Sequence, residues 1–184
     1  MSDTDSEAAH AFVEEAQLAF RFLQDELGYA ETIVADVPFA VWVTAKGAET
    51  GVKVAFDVRD RLVEVFLVRL VDGELPAYDE AEATHYADTI SLAALVRGEP
   101  NPTDYQLASL AREELQRVVE WNAGVVRELV DILRGDFRRF EEAIAARRVT
   151  IARLEEQLQR ESEHVDRVRG LGRLLRRGKS RRSY

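Results

Sequence analysis

Each of the three histidines in this sequence has a glutamate three positions before it: Glu7 and His10, Glu82 and His85, Glu161 and His164. On a helix that spacing turns both side chains to one face, and paired Glu-x-x-His units supply metal ligands in four-helix carboxylate bundles. Such a centre also needs two further carboxylates and four converging helices, whereas strand-like segments separate these pairs. Surface pairing at i, i+3 on a Glu-rich chain is the simpler account. A metal site, if present, belongs at Glu82, His85 and Asp88. The expectation is no metal and no other cofactor.

The second cluster is C-terminal, in GLGRLLRRGKSRRSY, residues 170–184. Its GKS is spelled like the end of a phosphate-binding loop, which requires a glycine five places before Gly178 and a strand before the loop. Arg173 stands there, and the segment follows a helical pattern, so the nucleotide reading fails. The cations are a stronger signal: Arg167, Arg169, Arg173, Arg176, Arg177, Lys179, Arg181 and Arg182 face a single acid, Asp166. Such a cluster would bind phosphates without regard to sequence and in a salt-sensitive way. Tyr184 is its one aromatic, so no stacking platform for single strands exists. Leu171, Leu174 and Leu175 would also suit an anionic membrane surface. A solvated basic tail, or one returning to the acidic part of its own chain, is the plainer reading.

Nothing else carries a reaction. The sequence has no Cys, which removes thiolate nucleophiles, disulfides and zinc–thiolate sites. No serine stands in a G-x-S-x-G elbow. Asp79, Glu80, Glu82 and Asp88 form an acidic loop without the glycine pattern of an EF-hand; we read them as contacts for a basic partner. Trp42, on the face of its strand opposite Phe39, Val41 and Val43, is either a contact aromatic or packed beneath a helix, and packing is the expectation.

These residues must be positioned by a mixed architecture. Residues 7–27 read as an amphipathic helix, with Thr4 and Glu7 spaced as a capping box and Gly28 placed as its stop. VPFAVWVTA, VKVAFDV and RLVEVFLVRLV then read as three strands joined by short turns, an antiparallel meander. In the second, Val52, Val54, Phe56 and Val58 alternate with Lys53, Ala55 and Asp57; the third is apolar on both alternating sets and is expected to be covered on both faces. A short helix through ISLAALVRG follows the acidic loop. From Asp104 a single apolar phase runs through Leu107, Leu110, Leu115, Val118, Val125, Leu129, Ile132, Leu133, Phe137 and Phe140, predicting one long helix. Gly124 and Gly135 are candidate kinks, and Gly135-Asp136 could end one helix and cap the next, making a hairpin. Beyond Phe137 a heptad can be written, but Arg147 and Glu161 fall in its seam and no opposite-charge e/g pair supports a parallel self-zipper.

The expected fold class is thus α+β: an N-terminal helix, a three-stranded antiparallel meander, a short helix, then a long C-terminal helix or hairpin with coiled-coil character. The domain reading is a 1–100 body, a 104–170 helical extension and a 171–184 basic tail. Hydrophobic content of 46% with 32% charged residues fits a soluble globular chain, with neither a membrane-length apolar run nor a secretory signal. Cytoplasmic is the default, and the Arg-over-Lys bias suggests a bacterial source. Net charge is −9, but it divides: residues up to Val130 carry about −15 and those beyond about +6. Such asymmetry points to partners or to internal docking.

FRFLQDELGYAETIV, VKVAFDVRDRLVEVFLVRLVDGELPAY and LRGDFRRFEE together make the first 140 residues resemble small bacterial proteins of unknown function, some of them immunity partners of toxins. The resemblance implies a partner-binding role and transfers no functional residue. The expectation is a non-enzymatic interaction module, an adaptor or immunity-type inhibitor, engaging a protein with a basic surface, with self-association through the long helix as a further option. Nucleic-acid association through the arginine tail is the first alternative, and metal binding through the Glu-x-x-His pairs the second.

Overall fold

The computed structural model describes residues 3–37, 39–75, 89–95, 105–146, 148–149, 152–153 and 157–160. The chain divides into two units, Met1–Ile144 and Ala145–Tyr184.

The first unit opens with α1 (Asp3–Ala19), which buries Ala8, Ala9, Phe12, Glu15 and Ala16. Steps of three and four place these on one stripe. The helix starts at Asp3, so Thr4 lies inside it and does not cap it. It also breaks at Phe20-Arg21 before α2 (Phe22–Leu27), so the expected single helix is two. Gly28 ends α2 as anticipated, at φ 70° with its N–H on Gln24 O, the left-handed conformation glycine adopts without a Cβ clash.

The sheet has five strands, not three: β1 (Ile33–Val37), β2 (Ala40–Lys46), β3 (Thr50–Asp57), β4 (Leu62–Arg69) and β5 (Thr89–Ser91), all antiparallel and in sequence order. The two extra strands are the edges. Ile33, Val34, Ala35 and Asp36 are all exposed, so β1 shows none of the apolar–polar alternation that reveals a half-buried strand. The VPFAVWVTA segment is divided: Val37 closes β1, Phe39 is a turn residue and β2 begins at Ala40. β5 is only three residues long and runs directly into α3 (Leu92–Leu95), which merges it with the helix in the sequence pattern.

The expected long helix also arrives in pieces. Tyr105 to Leu107 lies along β4 instead, with Val63 N–H donating to Tyr105 O at 2.8 Å and Leu107 N–H to Arg61 O at 2.9 Å. Then come α4 (Arg112–Arg127), the single turn α5 (Val130–Leu133) and further helix over 138–144. Gly124 causes no break. Gly135 does, at φ 90°, and Asp136 Oδ1 accepts the Arg138 N–H at 3.2 Å to start the next helix. The apolar phase nevertheless points inward as read: Leu115, Val118, Leu129, Ile132, Leu133 and Phe140 are buried in the core.

These helices pack on one face of the sheet. Val41, Val43, Val52, Val54, Phe56, Val63, Val65 and Leu67 share a single core cluster with Phe12, Leu23, Leu115, Ile132 and Phe140. Two ties fix the helices. Buried Glu15 accepts Arg112 Nε at 2.8 Å, joining α1 to the start of α4. At the end of α5, Thr50 Oγ1 donates to Ile132 O at 2.9 Å and Tyr29 OH to Leu133 O at 3.1 Å, satisfying carbonyls that a helix end leaves open. Burial pushes the Tyr29 phenol well above its ordinary pKa. In the second unit, the described residues 145–146, 148–149, 152–153 and 157–160 are helical and exposed, including Leu158 at a heptad a position.

Candidate functional site

The sheet face turned away from the helices is built by strand register. Ile33, Thr44, Lys53, Phe66 and Ser91 stand side by side across all five strands, and Ala35, Trp42, Ala55 and Glu64 form the neighbouring row. At one end, Leu75 approaches Gly51, where a Cβ would lie 2.9 Å from Leu75 Cδ2, and Glu74 Oε2 pairs with Lys46 Nζ at 2.6 Å. No described helix packs on the remainder. Among the described residues no helix covers Trp42, which lies beside its cross-strand neighbours, with Lys53 Nζ 4.1 Å from its ring centroid. A desolvated ammonium on an indole face is worth about 0.5–2 kcal/mol.

Two charges of this face, Lys53 and Glu64, are shifted towards neutrality. Burial lowers the pKa of Lys53. Burial first, and then the charge of Asp57, raise that of Glu64. Perturbed groups of this kind concentrate at functional surfaces. A carboxyl whose folded pKa is raised favours folding when protonated, and that contribution is lost as pH rises through the shifted value. Glu64→Gln is accordingly expected to raise stability at neutral pH. The advantage should shrink as pH falls and vanish below about pH 4, where the carboxyl is protonated in both states. Urea midpoints at pH 7 and pH 4 check this; an advantage independent of pH would assign the effect to packing.

Three exposed apolar residues gather at the rim of the face. Ile33 is 59% exposed, Val34 41% and Phe39 63%. Phe39 also sits at φ 66°, a left-handed conformation that costs a non-glycine residue about 1–2 kcal/mol. An exposed, strained aromatic contributes little to the core, and strain of this sort is retained where it serves a surface.

No family model, curated protein or solved structure matches this chain. The surface must be read from its own chemistry.

The acidic contacts Asp79, Glu80, Glu82 and Asp88, the metal alternative with His85, and the cations Arg167, Arg169, Arg173, Arg176, Arg177, Lys179, Arg181 and Arg182 all lie outside the described residues. So do Glu161 and His164. Glu7 and His10 are described and exposed, with His10 Nδ1 3.2 Å from Ser6 O. Among the described residues no cluster of three or more His, Asp or Glu side chains could hold a metal. Likewise, no described helix is long and apolar enough to cross a membrane. Sequence reasoning placed Lys53 and Asp57 on the polar side of their strand. It missed that Trp42, Glu64 and Phe66 share that side, because neighbours across strands are set by register and not by sequence distance.

Proposed function

We propose that this chain is a cytoplasmic, non-enzymatic protein-interaction module, an adaptor or immunity-type inhibitor, whose contact surface is the β1 edge and the adjoining sheet face that no described helix covers. The observation that carries the reading is the gathering of Ile33, Val34 and Phe39, all exposed, within seven residues at one sheet edge. An extended partner segment adds to such an edge through main-chain hydrogen bonds. The acidic first part of the chain, including Asp79, Glu80, Glu82 and Asp88, would steer a basic partner and set its on-rate more than its affinity.

The test couples position with stability. A photo-crosslinking residue at Ala35 is expected to capture a host protein, more at low than at high salt, whereas one at exposed Ala94 on α3 is not. Phe39→Gly relieves the positive φ and is expected to stabilise the fold by up to about 1 kcal/mol while weakening capture. Equal capture from Ala35 and Ala94, or capture indifferent to Phe39, would sink the proposal.

A further inference from the structure

We infer that the β1 edge seats a second copy of this chain, with β1 pairing antiparallel to β1 of that copy. The inference rests on the reading of β1 as an interaction edge and gives that edge a second, weaker occupant, which a host partner would displace. The two sides of the sheet are not equivalent. The outer side of β4 is taken by β5 at Phe66, Leu67 and Val68 and by Tyr105 to Leu107 at its other end. β5 itself offers three residues. β1 offers five in unbroken register, without a bulge, lysine or proline among them, three of the devices by which natural edges avoid pairing; its one charge is Asp36, on the side of Val41.

The strand is also complementary to itself. Antiparallel pairing about Ala35 engages all five residues: Ile33 faces Val37 of the second copy, Val34 faces Asp36, and Ala35 faces Ala35. The sole charge of the strand thus meets a valine. A slip of one residue on each strand would set Asp36 against Asp36, and like charges directly opposite are destabilising. Pairing residue 35 with itself also keeps equivalent faces on one side, so the Trp42 face continues into a ten-stranded sheet with the helices of both copies behind it. Two five-residue strands bury less than the roughly 1,200–2,000 Å² of a standard interface. The dimer is accordingly weak and dependent on concentration.

Sedimentation equilibrium of the full chain tests this. The mass is expected to climb from 20.8 kDa towards twice that value, with a dissociation constant between about 10 μM and 1 mM. Val34→Asp places two aspartate pairs across the seam and should weaken association about tenfold. Val34→Lys instead meets Asp36 of the second copy and should leave association intact or tighter. Because the sequence has no Cys, Ala35→Cys gives a second readout that keeps Val34. Its Cα atoms would fall about 4.5–5.5 Å apart, within disulfide reach, so mild oxidation should link it far faster than Ala48→Cys. A 20.8 kDa species throughout with no disulfide-linked dimer of the Ala35→Cys variant, or Val34→Lys weakening association as much as Val34→Asp, overturns the inference. If Ala35 still captures a host protein while the chain stays monomeric, self-pairing falls and the interaction reading stands.

Discussion

Phe12→Ala is expected to remove about 3–5 kcal/mol of unfolding free energy. Phe12 is fully buried at the centre of the inward stripe of α1. Its ring lies 5.2 Å from that of Phe56 on β3, tilted by 38°, a geometry worth about 0.5–1.5 kcal/mol beyond area alone. Truncation removes that pair and leaves a void between helix and sheet that a tied α1 cannot close, since Glu15, less than a turn further on, is held by Arg112. Against a total stability of about 5–15 kcal/mol, the loss is a third or more. Urea denaturation should show the midpoint falling with an unchanged slope. Leu18→Ala, on the same helix but 65% exposed, should shift stability by no more than about 0.5 kcal/mol. A small effect at Phe12 would mean that α1 does not pack as described.

The contrast between Phe12 and Leu18 shows what was legible in the sequence. Both are large and apolar, but only Phe12 lies on the three-and-four stripe by which residues 7–27 read as an amphipathic helix. The same logic found the inward residues from Leu115 to Phe140 even though their helix is broken. A kink at Gly135 leaves the apolar phase nearly intact, so phase alone cannot tell one rod from three pieces. Gly28 and Gly135 were readable as stops because the backbone there needs positive φ.

Glu15 was not readable. It sits on the inward stripe of an acidic helix, and its partner is 97 residues away, a distance over which periodicity says nothing. The missed strands share a physical cause. β1 is solvated on both sides and β5 is three residues long, so neither imposes a period-two pattern. The candidate surface was hidden for the same reason: its members come from all five strands and meet only once the register is set. The edge that escaped the sequence reading is therefore the edge that carries the functional proposal. A strand that must meet a partner has no reason to look half-buried in its own chain.

Gly47→Ala is expected to cost about 1–3 kcal/mol, as much as overpacking a core, although it adds one methyl group in a surface turn. A Cβ at Gly47 would lie 2.7 Å from Tyr29 Cζ, 2.8 Å from Tyr29 Cε2 and 2.9 Å from Thr50 O. None of these can yield cheaply. Tyr29 is buried and its hydroxyl is bound to Leu133 O. Thr50 O accepts the Gly47 N–H at 2.9 Å, and Thr50 Oγ1 is itself committed to Ile132 O. Relieving the clash means moving the ring that anchors the end of α5. Tyr29→Phe separates the contributions: it keeps the ring, orphans one buried carbonyl, and should cost about 1–2 kcal/mol by itself. Gly47→Ala should remain as costly in that background, but it should be much cheaper in Tyr29→Ala, where both clashing ring atoms are gone. The double-mutant cycle measures this difference as a coupling of about 1–2 kcal/mol. Equal costs in all three backgrounds would place the penalty in the turn backbone at Thr50 and not in the ring. The β2–β3 turn would then hold its shape independently of α5.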